Sequence, residues 1–148
     1  MKVNDTFDTG MALAEIIALE STCTSKHAVG AVITHYPNRV IGSGCNTVPF
    51  GQAQCDSPTL GCNCAPDAEG RCTNAIHAEV NAIAQCARFG VSCDGATMFV
   101  THAPCLACAK LIKVAGITQV VYRVETSSSA IHYLKRVAHI SCVEHRRS

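Results

Sequence analysis

A chain of 148 residues with a formal charge of +1, 48% hydrophobic and 16% charged residues, has apolar side chains enough for one folded domain. It carries too little charge for a disordered chain or a general polyanion binder. The first twenty residues lack the basic, apolar and small-residue zones of a secretory signal, and no run is long and apolar enough to span a bilayer, which predicts a cytoplasmic protein with no membrane partner. Thiols stay reduced there, so 11 cysteines, an odd number, point to metal before disulfide.

Phe7 to Glu20 reads as a helix, with Phe7, Met11, Ala14 and Ala18 on one face and Asp5 or Thr6 as its cap. Ala28 to Thr34 is a β-branched run typical of a buried strand. Pro37-Asn38 turns the chain, and Arg39 to Gly44 returns as a hairpin partner. From Cys45 to Asn74 the pattern fails: Pro49, Pro58, Pro66 and five cysteines mark a long Cys-rich loop at about 45–74, which calls for a function or a staple. Regularity returns with a helix at Ala75–Phe89, ended by Gly90. A strand at Ala96–Thr101, a helix from Pro104 through Ala115, a strand at Gln119–Val124, a helix from Ser127–Ser129 to Ala138 and a short strand at Ile140–Glu144 follow. That order predicts one domain over 1–148, an α/β chain folded as a three-layer α/β/α sandwich around a mixed central sheet of about five strands. The basic tail His145-Arg-Arg147 reads as a solvated end.

Two segments carry chemistry. His77-Ala-Glu79 and Pro104-Cys-Leu-Ala-Cys108 each fall at a predicted helix start. Cys105 and Cys108, three apart, share a helical face, and a helix N-terminus favours the thiolate that zinc binds. His77 is a third ligand. Three protein ligands leave a fourth position for water, the arrangement of a catalytic zinc, which brings the pKa of that water to about 7. Glu79, two residues from His77, is placed to move protons between water and substrate. H-x-E followed by P-C-x-x-C is a signature of zinc nucleobase deaminases. Either segment alone is weak; together, opening two helices of an alternating chain, they specify a zinc-dependent hydrolase.

On these blocks, with Val29-Gly-Ala-Val-Ile33, Gly42-Ser-Gly-Cys-Asn46 and Gly95 to Thr101, the chain resembles the deoxycytidylate (dCMP) deaminases of the cytidine deaminase-like superfamily over nearly its whole length. The resemblance implies hydrolysis of dCMP to dUMP and ammonia by a zinc-activated hydroxide with Glu79 as proton shuttle. It implies that the Ala78 N–H meets the pyrimidine carbonyl. Asn46 either binds the nucleotide sugar or stabilises a turn; Lys26 either grips the 5′-phosphate or is solvated. Thr101 either lines the pocket or ends a strand, and Tyr122 either edges the pocket or packs. The sequence departs from its relatives at Asn46-Thr-Val-Pro49 and at His27, where a second basic residue is common.

The resemblance further implies a structural zinc stapling the long loop, with Cys23, Cys55, Cys62 and Cys72 as ligands and Cys64 as substitute; the alternative is a set of free thiols. Cys86 and Cys142 read as small buried hydrophobes. It also implies a homohexamer activated by dCTP with Mg2+ and inhibited by dTTP, with Arg88 as an effector or subunit contact or else an exposed helix-end arginine. The competing readings are a nucleic-acid deaminase, a deaminase of another nucleotide or base, including dCTP or 5-substituted dCMP, and a non-catalytic zinc module. With 5% aromatics, no Trp and a charge near zero, nucleic acid is not the expected partner.

Overall fold

The computed structural model describes residues 3–23, 27–36, 39–49, 51–52, 67–68 and 72–146. Helix α1 (Val3–Ala18) leads into the antiparallel hairpin β1 (Gly30–His35) and β2 (Arg39–Cys45). After the long link come α2 (Ala78–Phe89), β3 (Thr97–His102), α3 (Leu106–Val114), β4 (Gln119–Val124), α4 (Ser128–His132), which continues as a π-helical stretch Tyr133–Val137, and β5 (Ser141–Glu144). The five strands form one mixed sheet in the order β2-β1-β3-β4-β5. β1 runs antiparallel to β2 and β3, while β3, β4 and β5 are parallel.

Side chains on a strand alternate between faces, and the two faces bury different partners. Val32, Phe99 and Val121 point to α1 and meet Met11 and Ala14, with Phe7 edge-on to Phe99. Ala31, Ile33, Met98, Val100 and Val120 point the other way, onto Ala82, Ile112 and Leu134. The expected three layers are therefore present, with α1 alone on one side and the later helices on the other.

Two close approaches fix where the site helix lies. A Cβ on Gly44 would come within 2.7 Å of the Ala78 carbonyl oxygen, and one on Gly42 within 2.7 Å of the Ala82 carbonyl oxygen. Only glycine lets β2 lie this close to α2.

Three helix starts differ from the sequence expectation, and several strand ends shift by one or two residues. The second helix begins at Ala78, not Ala75, because Ile76 is bound to Thr47 through both its N–H and its carbonyl and cannot start a helical turn. The third begins after Cys105, so Pro104 precedes the cap rather than occupying the first turn. The first starts at Val3, which puts Asp5 and Thr6 inside it and not at its cap. Gly90 ends α2 in the left-handed region (φ 66°), as expected. The Pro37-Asn38 turn and Arg147 lie outside the described residues.

Candidate metal centre

His77 and Cys105 are the N-caps of α2 and α3, each extended just before its helix begins. These two helix starts stand side by side at the C-terminal end of the parallel strands, the usual place for chemistry in an α/β sheet. The His77 Nδ1 lies 3.3 Å from the Cys108 Sγ and 3.6 Å from the Cys105 Sγ, and all three donor atoms are within 4.8 Å of one another. Zinc–sulfur and zinc–nitrogen bonds of about 2.3 and 2.0 Å make the edges of a tetrahedral site about 3.5 Å long, so this nitrogen and these sulfurs fit zinc. Among the described residues this is the cluster able to hold a metal.

The two thiols are close enough to share one proton, which a zinc held by both sulfurs would displace. The Cys108 thiol and His77 hydrogen-bond to the Cys105 sulfur and hold its pKa down to about 3, while the Cys108 N–H also points at that sulfur (3.5 Å). Cys108 is held up by acting as that donor and by burial. Glu79, on the first turn of α2, is 4% exposed. Burial pushes its carboxyl above the usual range, against backbone hydrogen bonding and His77, which pull it down. A carboxyl raised in this way holds a proton more readily than a free one, as a group that both takes and returns a proton must.

The cavity in front of the triad has a volume of about 540 Å³, within the range of small-molecule sites. His77, Ala78, Glu79 and Cys105 form its floor; Cys23 and His27 line it from the loop before β1, and Asn46 and Cys72 from the long link; His102, Thr126, Ser127 and Ser129 line it from the ends of β3 and β4 and the start of α4. Ala78 is the first residue of its helix, where a backbone N–H has no acceptor within the helix.

The other expected site residues separate. Asn46 is on the wall, but its amide is fully engaged. Its Oδ1 accepts from the Val29 N–H (2.7 Å) and the Ser21 hydroxyl (2.7 Å), and its Nδ2 donates to the carbonyls of Cys23 and His27. It ties together Ser21, Cys23, His27 and Val29. Thr101 is buried behind the wall, accepting from the Gly30 N–H (3.2 Å) and meeting the His102 Nδ1 (3.1 Å). Tyr122 packs in the core, not on the cavity wall. Arg88 is exposed on the last turn of α2. Cys23 is buried and Cys72 half-buried, both on the cavity wall; Lys26, Cys55, Cys62 and Cys64 lie outside the described residues. Cys86 is buried, as expected, and Cys142 half-buried.

Two residues gain a role that sequence reading missed. Asn81 donates to the Cys45 carbonyl (2.8 Å) and the Thr47 hydroxyl (3.0 Å), tying the start of α2 to the end of β2. His102 stacks on His27, with ring centroids 4.8 Å apart and planes 20° apart. Asn81 was visible as a polar residue one turn after His77; the imidazole stack joins residues 75 positions apart and had no local signal.

Residues 5–124 match the model of the cytidine and deoxycytidylate deaminase zinc-binding region. The chain is 44% identical over 112 residues to ComE operon protein 2 of Bacillus subtilis, covering 76% of this chain and 56% of that protein. It is 37% identical over 123 residues to the deoxycytidylate deaminase of Mycobacterium phage D29, covering 78% and 92%. The structure of dCMP deaminase from cyanophage S-TIM5, in complex with dCMP and dUMP, superposes with a TM-score of 0.79 at 28% identity, over 98% of this chain and 99% of that one. With the His-Cys-Cys triad and buried glutamate inside the matched region, the chain belongs to the cytidine and deoxycytidylate deaminase family.

Proposed function

We propose that the protein hydrolyses dCMP to dUMP and ammonia. The observation that carries this is the buried Glu79 beside the His77, Cys105 and Cys108 donors, on the floor of a cavity sized for a mononucleotide. Relatives named deoxycytidylate deaminase in phage, yeast and mammals support the choice of substrate, as does the cyanophage enzyme's complex with dCMP and dUMP.

His77, Cys105 and Cys108 would hold zinc, which when bound supplies the Lewis acidity that makes water nucleophilic near neutral pH. Glu79 accepts a proton from the water that attacks C4 of the cytosine ring and passes it to the ring N3, then carries the proton of the new C4 hydroxyl to the departing amino group. The C4–N bond breaks, ammonia leaves and a carbonyl remains. The Ala78 N–H, unpaired by its helix, receives the pyrimidine carbonyl and turns C4 toward Glu79. Burial favours the protonated form of Glu79 between these steps.

The finer parts of the proposal rest on the family resemblance. Cys23, from the loop before β1, and Cys72, from the long link, line one cavity, which supports a second zinc there with Cys55 and Cys62, or Cys64, as further ligands. Exposed Tyr36 and Phe89, near where His35 bonds to the Ser92 carbonyl (3.0 Å), support self-association, proposed as a hexamer. Activation by dCTP with Mg2+, inhibition by dTTP and a contact through Arg88 belong to the same proposal. So does a cytoplasmic location; no helix of the described residues is long and apolar enough to cross a membrane.

A nucleic-acid deaminase is the second reading. It needs a basic track for a strand, and among the described lining residues there is no Lys or Arg. The test is ammonia release from dCMP by zinc-loaded protein, with single-stranded oligonucleotide in parallel. Release from dCMP alone is the expected result; release from oligonucleotide alone contradicts the proposal.

A further inference from the structure

A nucleoside monophosphate brings a dianion into the cavity, and something on the wall must meet it. Apart from His77, which belongs to the metal triad, the only basic side chains among the described lining residues are His27 and His102. The remaining ionisable side chains on that wall are acids: Cys23, Cys72, Glu79 and Cys105. We propose that the stacked imidazoles of His27 and His102 read the 5′-phosphate, as positioning residues that set the preference for nucleotide over nucleoside. This rests on the dCMP reading above and names the residues by which that site recognises the phosphate.

Hydrogen bonding positions the His102 ring. The Thr101 Oγ1 accepts from the Gly30 N–H at 3.2 Å and lies 3.1 Å from the His102 Nδ1, so that nitrogen is engaged from behind and Nε2 is the ring nitrogen left for a ligand. Carrying a proton, Nε2 is a donor for an anionic oxygen. The neighbouring ring at 4.8 Å makes a second charge unfavourable until a ligand supplies the opposite one. Burial, and after it His27, hold the His102 pKa below the ordinary imidazole value. His27 is exposed, but its carbonyl accepts from the Asn46 Nδ2 at 3.0 Å, which keeps the ring over its partner. The pair is thus a donor built from two elements, the loop before β1 and the end of β3, and locked from behind by Thr101 and Asn46.

The test compares dUMP with deoxyuridine, which differ by the phosphate alone, in calorimetric titrations of zinc-loaded protein that need no turnover. The wild type should bind dUMP more tightly than deoxyuridine. His27→Ala and His102→Ala should each shrink that ratio about tenfold, the weight of a charge-assisted hydrogen bond. His102→Gln, whose amide nitrogen replaces Nε2, should restore part of it, which a role in packing alone would not explain. An unchanged ratio in folded, zinc-loaded His27→Ala and His102→Ala overturns the proposal. Should His102→Ala fail to fold, the exposed His27 decides the matter by itself. A wild type that deaminates dCMP but does not distinguish dUMP from deoxyuridine also overturns it and leaves the dCMP reading standing. A wild type that neither deaminates dCMP nor binds dUMP removes both.

Discussion

The two ends of the cavity are held by different means. At the metal end, His77 and Cys105 are helix caps, Cys108 is buried in α3, and Asn81 ties the helix start to β2. Their positions follow from backbone that is hydrogen-bonded along whole elements. At the other end, His27 stands on a loop whose described contacts centre on Asn46: its side chain bonds to Ser21, Cys23, His27 and Val29, with further bonds from the Thr22 N–H to the Asn46 carbonyl and from the Val48 N–H to the Thr22 hydroxyl. The reacting end is therefore held by whole elements, and the recognising end by loop contacts gathered on one residue. Changes at the first should remove chemistry, and changes at the second should alter binding while chemistry persists.

The largest effect should come from the triad itself. Cys105→Ser, or removal of zinc by a chelator, should take deamination to background and lower the melting temperature; metal analysis alongside the assay checks that the loss follows the ion. Glu79→Gln comes next: zinc content should be kept while kcat falls by at least about 10²–10⁴-fold. Substantial turnover in that variant would remove Glu79 from the proton path. Asn46→Ala should cost about 1–3 kcal/mol in stability, because it takes an acceptor from the Val29 N–H and a donor from the Cys23 and His27 carbonyls. KM for dCMP should rise about tenfold with kcat changed much less, the split that marks lost binding rather than lost chemistry. A matching fall in kcat would erase the contrast between the two ends.

The smallest effect is a pH dependence. His102 sits below its ordinary value of 6.5, so between that value and its lower folded one the unfolded chain binds more protons than the folded chain. Stability is then full above about pH 6.5 and falls on acidification through that window. His102→Gln should flatten this part of the melting-temperature profile; an equally steep profile would place the titration elsewhere.

The sequence held the sheet, the layer order and the metal triad because each is written locally. Alternating apolar runs gave the strands, and His77, Glu79, Cys105 and Cys108 lie in two short blocks. The start of α2 was misjudged because a non-local pair, Thr47 with Ile76, claims the backbone that helix periodicity alone would assign. Thr101, which reads either as a pocket residue or as a strand-end residue, is buried and bonded to Gly30 and His102, since a strand end shows its residues to two faces and the sequence does not say which. The partnership of His27 with His102 depends on His27 coming to lie against the end of β3, a long-range outcome that no spacing encodes.

The most direct test of the central claim is the ultraviolet spectrum of dCMP during incubation with zinc-loaded protein, with Glu79→Gln at equal zinc content beside it. The account predicts loss of the cytosine band and growth of the uracil band with the wild type and neither with the variant. An unchanged spectrum with the zinc-loaded wild type, with and without dCTP and Mg2+, would contradict it.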